Sequence, residues 1–122
     1  MKYAALLTGN GDEVAAWEQM LPEEAAAARA DEMPKWEALY DELGPTGVLG
    51  LGVELDSPST AKTVRVRGGE TVITDGPFAE TKEQIGGVIV LDCEDLDQAI
   101  AIAARIPVVF TASVELRPLV ER

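Results

Sequence analysis

The apolar run at residues 2–8, KYAALLT, is broken by Gly9-Asn10-Gly11. That pattern predicts a buried strand closed by a turn. Asp12 is placed to cap a short helix over Glu13–Met20, which Pro22 ends. Pro22-Glu23-Glu24 then suits the first turn of a longer helix, by fixed φ and by the helix dipole. Ala26, Ala30, Met33, Trp36, Tyr40 and Leu43 recur every three or four residues and predict its apolar stripe. Pro34 interrupts that stripe and removes the bond to the Ala30 carbonyl, so a kink or two helical pieces are expected. Gly44-Pro45 stops the helix.

The second half reads mainly as strands. GVLGLGVEL, 47–55, is a strand whose three glycines point to a bulge or a close backbone approach. TVRVR and ETVIT flank Gly68-Gly69, the clearest hairpin signal in the chain. Val64 and Val66 point to one side of it, Arg65 and Arg67 to the other. GVIVLD, 87–92, is apolar on both sides of the alternation, as a strand covered on both faces would be. Asp95 caps a helix with Leu96, Ala99, Ile100 and Ala103 as its apolar stripe, and Pro107 ends it. A last strand follows, with Ala112, Val114 and Leu116 on one face. Clustered helices and locally paired strands predict one α+β domain over residues 1–122, with an antiparallel sheet and helices on one face. The other sheet face then needs a cover. A second copy of the chain supplies it most simply, so a homodimer with sheet facing sheet is expected.

Composition narrows the chemistry. Histidine is absent, which excludes Ser-His-Asp and Cys-His arrangements and His-ligated metal. The single cysteine, Cys93, excludes an internal disulfide and a Cys-rich zinc site. Its acidic neighbours disfavour a thiolate, so a packing role is expected. Neither a metal nor a cofactor is expected. Ten basic against 22 acidic residues give a net charge of −12, which repels phosphate backbones and argues against a nucleic-acid partner. No apolar run nears the roughly 20 residues of a membrane span. The N-terminus lacks a secretory apolar region with a cleavage site, so a cytoplasmic protein without a membrane partner is expected.

The segment TDGPFAETKEQIGG, 74–87, concentrates charge between two strands. Asp75 is a candidate general acid or base; as a turn residue it would accept from the following backbone N–H groups. Thr81 and Gln84 fit a capping box on a helical turn stopped by Gly86-Gly87. Arg65 and Arg117 offer forked donors to an anionic small molecule, or pair with surface carboxylates. Tyr3, Trp36, Tyr40 and Phe78 are candidates either for the core or for the wall of a ligand pocket.

With KYAALL, the TAKTVRVRGGETVITDGPFAETKEQIGG block, DLDQAIAIAARIP and SVELRP, the chain resembles the YCII-related family. Within it, the chain resembles the group marked by an Asp-Gly-Pro-Phe motif, here Asp75 to Phe78. The resemblance covers nearly the whole chain. It implies a ferredoxin-like α+β fold paired into a dimeric α/β barrel. It also implies a small enzyme or ligand-binding module with a His–Asp pair, in many members encoded beside extracytoplasmic-function sigma factors. Here Thr111 and Ala112 stand where family members carry His-Gly, so Asp75 lacks that partner. The reading that follows is a homodimeric small-molecule-binding or regulatory module. The alternatives are a small-substrate enzyme (lyase, isomerase or hydrolase) using Asp75, and a protein-interaction module linked to a sigma factor.

Overall fold

The computed structural model describes residues 1–77, 83–107 and 112–122. Among these residues, six strands and three α-helices follow one another as β1 (Lys2–Asn10), α1 (Gly11–Glu18), α2 (Pro22–Leu43), β2 (Leu49–Glu54), β3 (Lys62–Arg67), β4 (Glu70–Asp75), β5 (Glu83–Asp92), α3 (Leu96–Ala103) and β6 (Ala112–Pro118). Four strands form an antiparallel sheet in the order β2-β5-β1-β6. With the β3–β4 hairpin set aside and the four strands counted in chain order, this is 2-3-1-4, consistent with a ferredoxin-like arrangement. The hairpin is a separate two-stranded sheet inserted between the second and third of those strands.

The core lies between one face of the large sheet and helices α2 and α3. Tyr3 and Ala5 of β1 and Ile89 and Leu91 of β5 meet Leu39 of α2 and Ala99 and Ile102 of α3. Register explains this set: Tyr3 pairs with Leu91 and Ala5 with Ile89, so alternate residues of both strands point the same way. Val114 and Leu116 of β6 extend that face, as their alternation predicts. On the opposite face Leu6 pairs with Val88, and Val88 with Val53 of β2. Val53 is 47% exposed, and none of Leu6, Val88 and Val53 belongs to the core cluster.

Local chemistry departs from the sequence expectations at several points. Asn10, not Asp12, caps α1: its side chain accepts from the Asp12 backbone N–H at 2.8 Å. Of the kink or two helical pieces expected at Pro34, two pieces do not form: α2 runs through it as one element. Pro34 and Ala30 both face solvent, where water can take the carbonyl that loses its bond. The inward stripe of α2 is also displaced by about one residue, to Ala25, Ala28, Glu32, Trp36, Leu39 and Leu43, leaving Met33 and Tyr40 at its exposed border. In α3 the buried residues are Ala99 and Ile102, while Leu96 and Ile100 are half-exposed. Gly86-Gly87 stops no helix. Both lie inside β5, where a Cβ on Gly87 would stand 3.2 Å from the Val53 carbonyl. Close strand approach, not a turn, is what that glycine serves. Thr81 lies outside the described residues. The hairpin matches its prediction, with Gly68 and Gly69 both at positive φ.

Cys93 is buried just beyond β5. Burial pushes its thiol above the ordinary value. An aromatic disulfide reagent is therefore expected to titrate Cys93 at once in denaturant and at least roughly a hundredfold more slowly in native protein. Equal rates would show that the site opens freely.

Candidate functional site

Helices α1 and α2 do not close fully over the far end of the sheet. A cleft remains in two joined parts, an inner one of about 290 Å³ and an outer one of about 690 Å³. Trp17 of α1, Arg29 of α2 and Glu54 of β2 border both parts. The Arg29 guanidinium lies 5.3 Å from the centre of the Trp17 ring. It donates through Nη1 and Nη2 to the two Glu54 carboxylate oxygens, at 3.1 and 2.7 Å. This fork holds α2 to the edge strand and keeps Arg29 charged, the Glu54 hydrogen bonds raising its pKa.

The inner part is walled by α2. Trp36 and Tyr40, one turn apart, have ring centres 6.3 Å apart, tilted by 38°. The Trp36 indole N–H donates to Glu32 Oε1 at 3.1 Å. Burial pushes the Glu32 carboxyl above the usual range, and the hydrogen bond from Trp36 pulls the other way. Opposite stands Gly52 of β2, where a Cβ would come within 3.0 Å of the Tyr40 hydroxyl. The glycine at position 52 gives the phenol its place over the strand. In the outer part the Ser57 hydroxyl donates to Glu18, tying the turn after β2 to α1.

The sequence candidates separate in space. Trp36 and Tyr40 line the cleft. Tyr3 is 2% exposed, within the core, with its hydroxyl directed at Met1 Sδ. Arg65 lies on the hairpin and donates to Thr74 Oγ1 at 3.3 Å. Arg117, on β6, donates to Glu115 at 2.5 Å. Phe78 lies outside the described residues. Asp75 ends β4 with its side chain 85% exposed and pairs with Lys62, its cross-strand neighbour. The turn beyond it is fixed by the backbone and by Thr63: Gly76 N–H donates to the Ala61 carbonyl, and Thr63 Oγ1 to the Gly76 carbonyl at 2.8 Å. Asp75→Asn is expected to lower stability by no more than about 1 kcal/mol, because an exposed ion pair contributes little. A larger loss in urea unfolding would assign the carboxylate a tighter structural role.

Arg29, Glu32 and Glu54 were not among the sequence candidates. A signal for two of them was present: Arg29, Glu32, Met33, Trp36 and Tyr40 fall at i, i+3, i+4, i+7 and i+11, one helical face that carries charge among aromatics. Among the described residues there is no group of three or more side chains suited to hold a metal, and no helix is long and apolar enough to cross a membrane.

The YCII-related domain matches this chain over residues 1–122. The chain is also 35% identical, over 121 residues, to an uncharacterized protein of Rhizobium meliloti (strain 1021), with 98% of this chain and 92% of that protein covered. The chain therefore belongs to the YCII-related family.

Proposed function

We propose that this chain is a small-molecule-binding module, working as a homodimer, whose ligand site is the α1–α2–sheet cleft. The observation that carries the reading is the composition of that cleft. Trp17, Trp36 and Tyr40 stand around it beside a forked ion pair, the mixture of aromatic wall and few placed polar groups that ligand pockets use. The finer placement within the Asp-Gly-Pro-Phe group rests on Asp75-Gly76-Pro77-Phe78 alone.

Two uncovered apolar faces support the homodimer. One is the outer sheet face, where Val53 is 47% exposed and its row neighbours Val88 and Leu6 are half-buried. The other is the side of the hairpin carrying Val64, Val66 and Ile73, of which Val64 and Ile73 are 60% and 62% exposed. Contiguous apolar surface of this kind marks association.

Both tryptophans of the chain border the cleft, so their two indole N–H resonances report on it directly. Titrating ¹⁵N-labelled protein with a panel of cationic, neutral and anionic organic fragments is expected to shift both resonances saturably for some of them. A panel of several hundred fragments that moves neither resonance would overturn the binding reading.

A further inference from the structure

The cleft's charge is lopsided. Among the described residues, Glu18, Glu32, Glu54 and Asp56 border it, against one cation, Arg29. That cation is committed: both terminal nitrogens are bonded to Glu54 and the guanidinium plane rests near Trp17. An entering anion would have to break a forked pair and would then face the remaining carboxylates. A cation meets none of these costs. Trp36 and Tyr40 line the inner part, and the faces of such rings attract cations within about 6 Å. Glu32, held by the Trp36 N–H and partly removed from water, supplies a counter-charge beside them. The net charge of −12 draws cations toward the whole molecule. An inner volume of about 290 Å³ lies at the lower end of ligand pockets and suits a small occupant.

Resting on the binding reading above, we infer that the inner cleft takes a small organic cation, a protonated amine or quaternary ammonium, held between the Trp36–Tyr40 wall and the Glu32 carboxylate. Arg29 stays with Glu54 and serves as the fixed border of the site. It shows on Trp17 the same cation-on-indole contact that the ligand would make on Trp36.

The test uses three ring compounds of similar size: benzyltrimethylammonium, benzyl alcohol and phenylacetate. Each is titrated into the full chain and followed by the Trp indole resonances. The ammonium is expected to bind at least fivefold tighter than either of the others. Glu32→Gln keeps an acceptor for Trp36 and is expected to weaken the ammonium at least fivefold, with benzyl alcohol unchanged and the melting temperature preserved. Glu24→Gln, exposed in the first turn of α2 and outside the cleft lining, is expected to change ammonium affinity less than twofold. Equal or tighter binding of the neutral or anionic compound, an unaffected Glu32→Gln protein, or no binding of the ammonium overturns the cation assignment. The binding reading falls only if the broad fragment panel also fails, so the two failures are distinct.

Discussion

Val88→Glu is expected to halve the mass of the particle in solution. Val88 lies in the middle of the outer sheet face, paired with Leu6 on one side and Val53 on the other. In one isolated chain the position is partly exposed, so the longer glutamate side chain can reach water and the fold tolerates it. In a sheet-to-sheet dimer the same carboxylate would be sealed between apolar surfaces. The twofold axis would place it there twice. Each buried, unpaired charge costs several kcal/mol, and two together are comparable to the roughly 8 kcal/mol that a micromolar interface supplies net. Light scattering at micromolar concentration is expected to give about 26 kDa for the unaltered protein, twice the 13.0 kDa chain, and about 13 kDa for the variant. An unaltered protein at the single-chain mass, or a variant still at the doubled mass, would refute the sheet-facing dimer.

The second large effect is expected from Leu91→Ala. Leu91 is fully buried and sits at the crossing of two strand pairings, opposite Tyr3 of β1 and Leu49 of β2. Its side chain packs in the cluster that joins the sheet to α2 and α3. Truncation removes three carbons and leaves a void that strands fixed on both sides cannot collapse around. The loss is expected near 3 kcal/mol, within the usual span for such sites. For a chain of this length that corresponds to a fall of about 12 °C in melting temperature. Leu91→Met, which nearly conserves volume, is expected to cost under about 1.5 kcal/mol. Equal losses for the two variants would mean that the site is looser than its burial suggests.

Much of the architecture was legible because its signals are local. Gly68-Gly69 between alternating strands can hardly be anything but a tight turn. The alternation in SVELRP places Val114 and Leu116 without further knowledge, and Asp95 caps α3 as its position predicts, accepting from Gln98 N–H at 2.8 Å. The failures share one cause, tertiary contact overriding a local pattern. Gly86-Gly87 carries a perfectly good helix-stop pattern, yet pairing of β5 with β1 and β2 claims those residues for the sheet. Met33 and Tyr40, being apolar, place the expected α2 stripe on their own side of the helix. The helix turns Glu32 inward instead, because a hydrogen bond from Trp36 makes that burial affordable. The cleft was half legible for the same reason. Its aromatics could be named from one helix, whereas the Arg29–Glu54 fork joins residues 25 apart in sequence and exists only once the edge strand lies beside α2.

The detached hairpin also has a kinetic consequence. A two-stranded ribbon on its own is barely stable in water, so β3 and β4 should open far more often than the sheet that anchors them. Their backbone amides, Val64 to Thr74, then become a clock for self-association. In a lone chain they should trade hydrogen for deuterium at nearly the rate of free peptide. If a second copy lies across Val64, Val66 and Ile73, they should slow progressively as the protein is concentrated, while the amides of β1 and β5 keep the same rate throughout.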